Sequence, residues 1–241
     1  MKNLLLVLLA LVFIQLTKAQ CQLTAKDILG PYYLEGSLFK GFNICTNNLA
    51  MDRLQISGYL YDKDCKTPII NAKMEVWQAD YEGKYSTEAK GECRSFIMTD
   101  SRGFYKYQTI MPGRYDDGGY RPAHVHFKIT AKDYGSFVTQ QYFKNDQFLG
   151  DNDSCKRCMS GHPSLQTEVI HMTDIKTYVG KWNIYLAKTD SKVIAPLNDE
   201  NKFYGKEEKN YATKKEKLLK VDLAEELKKA KEEIKKLKSS K

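Results

Sequence analysis

The chain has 241 residues, enough to bury a full hydrophobic core in one large domain or two small ones. Its formal charge of +8 suggests a polyanionic partner, but the charge is unevenly placed. Lys2 and Lys18 lie in an N-terminal leader, and residues 205–241 hold thirteen lysines against eight acids. Residues 20–204 are therefore nearly neutral, and no basic groove for nucleic acid is indicated.

Residues 1–19 read as a signal peptide. Lys2 supplies a positive start, Leu4 to Leu16 is apolar except for Gln15, and Thr17 and Ala19 are small residues at cleavage-site spacing. That run is too short to span a bilayer comfortably, and no other segment is apolar enough to do so. The expectation is a secreted protein without a membrane span. Cys21, Cys45, Cys65, Cys93, Cys155 and Cys158 fit an oxidising compartment and allow up to three disulfides. The Cys155-Lys156-Arg157-Cys158 spacing also resembles half a zinc site or a redox motif. No second ligand pair follows, and the motif sits in a polar loop, so a structural disulfide is expected. Asn152-Asp153-Ser154 beside it is a glycosylation sequon, which suits an exposed loop.

Residues 20–50 contain turn formers and aromatics without a clear period. Short strands are predicted at 54–60, 73–78, 104–110, 124–130, 137–143, 168–172 and 182–186. They mix β-branched, aromatic and polar residues, several alternate at period two, and turn signals separate them. The prediction is an all-β fold: an antiparallel sandwich over residues 20–204 with an irregular N-terminal segment. From Lys206 onward the chain is rich in Lys, Glu, Leu and Ala. Leu223, Leu227, Ala230, Ile234 and Leu237 form one helical stripe, so 205–241 is read as a charged helical tail without chemistry.

The chemistry concentrates in Arg121-Pro122-Ala123-His124-Val125-His126-Phe127. On a strand, residues two apart leave the same face, so His124 and His126 form a ready metal-binding pair. Two surface histidines would give the same spacing, and the pair alone does not decide between these readings. No cluster of acids nearby completes a two-histidine, one-carboxylate iron site. His162 and His171 read as structural or exposed. Tyrosines are near instead: Tyr115, and Tyr85 just after the strand that carries Trp77. Ordinary packing accounts for most of the sixteen tyrosines in the chain, and Trp77 reads as core.

From about Leu29 to Leu186 the chain resembles the intradiol ring-cleavage dioxygenases. The resemblance rests on Gly30-Pro31-Tyr32-Tyr33, on Gly58 followed by Pro68, and on Glu75-Val76-Trp77-Gln78-Ala79-Asp80 with Gly83-Lys84-Tyr85. It continues through Thr99-Asp100 with Gly103-Phe104-Tyr105, then Thr109-Ile110-Met111-Pro112-Gly113, the Arg121 to Phe127 block and Thr139-Gln140-Gln141-Tyr142-Phe143. It implies an Fe(III) cofactor held by Tyr85, Tyr115, His124 and His126, acting on a small catecholic substrate and O2. Two tyrosinates and a hydroxide would neutralise the trivalent ion, and hard oxygen ligands favour the ferric state. The resemblance makes Tyr115 a catalytic base towards the catechol and Arg121 a catalytic cation near the substrate. Gly30, Pro31 and Gln140 would line the substrate pocket, with Gln140 bonded to Arg121.

The chain departs from the bacterial catechol enzymes in lacking a helical N-terminal region, and from the protocatechuate enzymes in carrying all four ligands itself. A secreted, single-chain monomer is the expectation. The alternatives are a non-catalytic β-sandwich binder that retains the metal site, another metal in the same pocket, and an interaction module driven by the tail.

Overall fold

A computed structural model describes residues 21–46, 51–115 and 119–189. The leader at 1–19 and the tail at 205–241 lie outside the described residues. Among those described, ten strands run in chain order: β1 Arg53–Asp62, β2 Lys73–Gln78, β3 Arg94–Met98, β4 Phe104–Ile110, β5 His124–Ala131, β6 Gly135–Phe143, β7 Gln166–Thr167, β8 Val169–Met172, β9 Thr177–Lys181 and β10 Ile184–Leu186. Helical structure among them is limited to short 3-10 turns, including Gly150–Asn152 and Pro163–Leu165. No described helix is long and apolar enough to cross a membrane.

The strands form two five-stranded sheets. In one, β10, β1, β9 and β8 are neighbours and β4 also pairs with β1; the other has the order β3-β2-β5-β6-β7. The expectation of an antiparallel sandwich needs correction, because both sheets are mixed. β1 pairs parallel with β9 and with β10, and β6 pairs parallel with β7. Period-two alternation reports which face of a strand is buried, not the direction of its neighbour. The parallel pairs also join strands far apart in sequence, such as Arg53 opposite Thr177.

Alternation builds the core. Leu54, Ile56 and Leu60 of β1, Met74 and Val76 of β2, and Val125, Phe127 and Ile129 of β5 are buried together with Tyr105, Tyr107 and Ile184. Burying each such apolar side chain stabilises the fold by about 1.5–3 kcal/mol. The other face of β5 carries His124, His126 and Lys128. Three disulfides, Cys21–Cys65, Cys45–Cys93 and Cys155–Cys158, use all six cysteines.

The strand core is closed tightly at Gly58. Tyr105 Oη donates to the carbonyl of Trp182 at 2.6 Å, and a Cβ on Gly58 would lie 1.8 Å from that same oxygen. Backbone cannot yield there as a flexible side chain could. Gly58→Ala should therefore cost at least about 3 kcal/mol, seen as a lowered urea midpoint. An unchanged midpoint would contradict this packing.

Candidate metal centre

The β-sheet register assembles half of the site. His126 stands opposite Trp77 of β2 and Gln140 of β6, and His124 stands opposite Tyr142. All five side chains therefore leave the same face. Trp77 lies flat against His126, ring centroids 4.9 Å apart and planes 8° from parallel. It is 2% exposed, as a core residue should be.

Tyr85 and Tyr115 come from loops that are fixed by backbone contact. Gly113 N–H donates to Asp80 O at 2.8 Å. The Asp80 carboxylate accepts from Glu82 N–H and Lys84 N–H, both at 2.9 Å, which winds the turn that presents Tyr85. The two loops touch where neither has a side chain. A Cβ on Gly113 would be 2.5 Å from Gly83 N, and one on Gly83 would be 2.5 Å from Arg114 O. Gly83 also has φ +83°, which a residue with a side chain rarely adopts. The rings of Tyr85 and Tyr115 meet edge to face at 5.6 Å.

Three donor atoms converge. Tyr85 Oη is 3.2 Å from His124 Nε2 and 3.1 Å from His126 Nε2, and the two Nε2 atoms are 3.1 Å apart. Tyr115 joins through Arg121, whose Nη1 is 3.4 Å from Tyr115 Oη and 3.2 Å from His124 Nε2. His124 Nδ1 is 2.7 Å from the Pro122 carbonyl, which fixes that nitrogen as the donor and leaves the Nε2 lone pair facing the cluster. His126 Nδ1 is buried without a partner.

Burial sets the protonation states. It lowers the His124 pKa to about 3, assisted by the charge of Arg121, and holds His126 well below the ordinary histidine value, assisted by His124. Both imidazoles are neutral at physiological pH. Desolvation raises Tyr85 well above the usual phenol value, and Tyr115 adds to the effect. A multivalent cation at the cluster would reverse that direction, since a metal deprotonates its ligands. No group of three His, Cys, Asp or Glu residues suited to a metal occurs among the described residues. A cation here therefore depends on the phenols. Two imidazoles and two phenols form a hard, oxygen-containing donor set that becomes anionic on loading, and this fits a trivalent ion.

Arg121 is 3% exposed and Asp153, its counter-ion, 1%. The pair is bidentate, Nε to Oδ1 at 3.1 Å and Nη2 to Oδ2 at 3.3 Å. Nη2 also donates to Gln140 Oε1 at 3.3 Å and Tyr142 Oη at 3.0 Å. Burial opposes the charge on Arg121, but the Asp153 carboxylate, Tyr142 and Tyr115 together outweigh it and keep the guanidinium protonated. Gln140 completes its own bonding by donating from Nε2 to Ile28 O at 2.8 Å.

The N-terminal segment covers this face. A Cβ on Gly30, which has φ +74°, would lie 3.1 Å from His126 Cε1, so the chain crosses the imidazole edge closely. Pro31 follows and is exposed. Tyr32 stacks on Tyr85 with centroids 4.2 Å apart and planes 7° from parallel. Sequence reasoning does not single out Tyr32, Asp27, Tyr142 or Asp153. Alternation from Gln140 would have placed Tyr142 on the site face, but no motif marks Asp153 or Asp27. His162 caps the 3-10 turn Pro163–Leu165, and His171 pairs with Asp52 at 2.7 Å.

The family described as Dioxygenase matches residues 28–187, more than half of the chain. Catechol 1,2-dioxygenase of Acinetobacter guillouiae is 30% identical over 178 residues, 64% of this chain and 58% of that protein. The protocatechuate 3,4-dioxygenase beta chain of Burkholderia cepacia is 34% identical over 116 residues, 41% of this chain and 47% of that one. The chain thus spans about half the length of these curated relatives. A solved dioxygenase domain, from a dioxygenase carbohydrate-binding protein fusion of the cellulolytic bacterium Streptomyces sp. SirexAA-E, superposes with TM-score 0.59 at 25% identity. That match covers 70% of this chain and 100% of the other. With this match and the converging tyrosines and histidines, the chain belongs to the intradiol ring-cleavage dioxygenase family.

Proposed function

We propose that this protein is a secreted, monomeric, non-haem Fe(III) dioxygenase that opens catecholic rings between the two hydroxyl-bearing carbons, using O2 and giving cis,cis-muconate-type products. The observation that carries this reading is the convergence of Tyr85 Oη, His124 Nε2 and His126 Nε2 to within 3.1–3.2 Å of one another. In this reading residues 1–19 are a leader, 20–204 the catalytic domain and 205–241 a charged helical tail. The three disulfides favour an oxidising compartment.

Tyr85, Tyr115, His124 and His126 would hold the ion. A ferric ion there would supply the Lewis acidity that makes a bound catecholate reactive towards O2. The remaining work falls to the chain. Tyr115 Oη, once ionised, is the base that receives a catechol proton. Arg121 Nη1 lies 3.4 Å from that oxygen, where it can stabilise negative charge passing between phenol and substrate. Asp153 and Gln140 hold the guanidinium in place. Gly30 brings backbone against His126 without side-chain bulk, leaving room for a flat ring, and Pro31 stiffens the stretch that follows. Tyr32, stacked over Tyr85, shields that phenol from water.

The purified protein should contain about one iron per chain and absorb visible light through tyrosinate-to-iron charge transfer. The band should shift when catechol is added without oxygen, and oxygen uptake should follow on aeration. A colourless protein with stoichiometric zinc would sink the assignment. Tyr115→Phe should keep most of the iron yet lose on the order of 100-fold in turnover, the scale of general-base catalysis. Unchanged stopped-flow kinetics of catechol binding in that variant would refute the base role.

A further inference from the structure

Two carboxylates brace Arg121, and one small loop holds both. Asp153 binds the guanidinium directly, and its Oδ1 also accepts from Cys155 N–H at 2.9 Å. Asp27 acts from the other side through Tyr142. Its Oδ2 accepts from Tyr142 Oη at 2.8 Å and from Met159 N–H at 3.1 Å, while Oδ1 accepts from Ile28 N–H at 2.7 Å. Tyr142 Oη in turn accepts from Arg121 Nη2 at 3.0 Å. The two backbone donors, Cys155 N–H and Met159 N–H, stand at either end of the Cys155–Cys158 disulfide turn. That turn is closed by Cys158 N–H to Cys155 O at 3.0 Å.

We propose that the Cys155–Cys158 loop is a positioning clamp: it fixes the spacing of Asp153 and Asp27 and thereby aims Arg121 Nη1 at Tyr115 and His124. This inference rests on the dioxygenase reading above. A disulfide between residues 3 apart in sequence restricts the unfolded chain far less than Cys45–Cys93, which are 48 apart. Global stabilisation is thus a poor account of the Cys155–Cys158 bond, whereas local geometry accounts for it directly. Asp27 also precedes the Gly30-Pro31 stretch, so the same clamp ties the loop over His126 to Arg121 through Tyr142.

The test compares full-length, iron-containing protein with Cys155→Ser/Cys158→Ser, and with Cys45→Ser/Cys93→Ser as a control that loses a more stabilising bond. In the 155/158 variant, iron content and thermal midpoint should stay near the parent's. Its kcat/KM for catechol should fall on the order of 10- to 100-fold, the usual cost of losing an outer support of a metal site, with kcat falling more than KM rises. Deuterium uptake should rise in residues 27–30 and 119–124 but not in β1 or β2. The 45/93 variant should show the opposite pattern, with a lower midpoint and kcat/KM per folded molecule near the parent's. Parent-like kinetics and parent-like uptake in the 155/158 variant would overturn the clamp. If the parent itself holds iron but turns over neither catechol, hydroxyquinol nor protocatechuate, the dioxygenase reading fails. The uptake comparison then decides the clamp on its own: raised exchange at 27–30 and 119–124 supports it, and unchanged exchange rejects it.

Discussion

The pairing of β5 between β2 and β6 is the constraint on which everything else depends. Val125, Phe127 and Ile129 point into the core, so His124 and His126 must point the other way. A one-residue slip would drive the imidazoles into the core and take Val125, Phe127 and Ile129 out of it. At about 1.5–3 kcal/mol for each apolar side chain, that exchange would remove much of a net stability of about 5–15 kcal/mol. The geometry of the candidate centre is therefore enforced by residues that never touch it. The same register sets Trp77 and Gln140 beside His126 and Tyr142 beside His124.

The loops solve a different problem. Tyr85 and Tyr115 lie outside the strands, so no ladder of hydrogen bonds fixes them. Backbone meets backbone at Gly83 and Gly113, and the Asp80 carboxylate winds the turn before Tyr85. Arg121 needs another kind of support. A guanidinium withdrawn from water is tolerable only with its charge matched and its N–H groups occupied. Asp153 supplies the charge; Gln140, Tyr142, Tyr115 and His124 supply further partners. Withdrawal of the carboxylate alone would leave a buried cation at a cost of about 3–5 kcal/mol.

Much of this was legible in the sequence, for identifiable reasons. β2 and β4 fall where alternation places them, and β5 extends one residue beyond the predicted 124–130. Alternation does not mark β3, β7 or β9. Arg94–Met98 opens on an arginine and is buried nearly throughout, so it shows no alternation, and Gln166–Thr167 is two residues long. Thr177–Lys181 carries a glycine, a weak strand former. The same-face placement of His124 and His126 followed from spacing alone. The choice of Tyr85 and Tyr115 from sixteen tyrosines did not; it required the family resemblance. Asp27 and Asp153 lie 126 positions apart on ordinary polar segments, and only the folded chain brings them to one guanidinium.

The protonation states explain why tyrosine suits this position better than a carboxylate. Without a cation, burial keeps Tyr85 a neutral phenol and both histidines neutral imidazoles. The charge of Arg121 is then matched directly by the Asp153 carboxylate. Two aspartates in place of the phenols would add charge that folding must desolvate before any metal arrives. Phenols defer that charge. Their ordinary pKa near 10 means they ionise here only when a strong Lewis acid is present to bind the product. Such a donor set lets the sandwich close first and become anionic on loading. It also makes the ionised state of Tyr115, the proposed base, conditional on an occupied site.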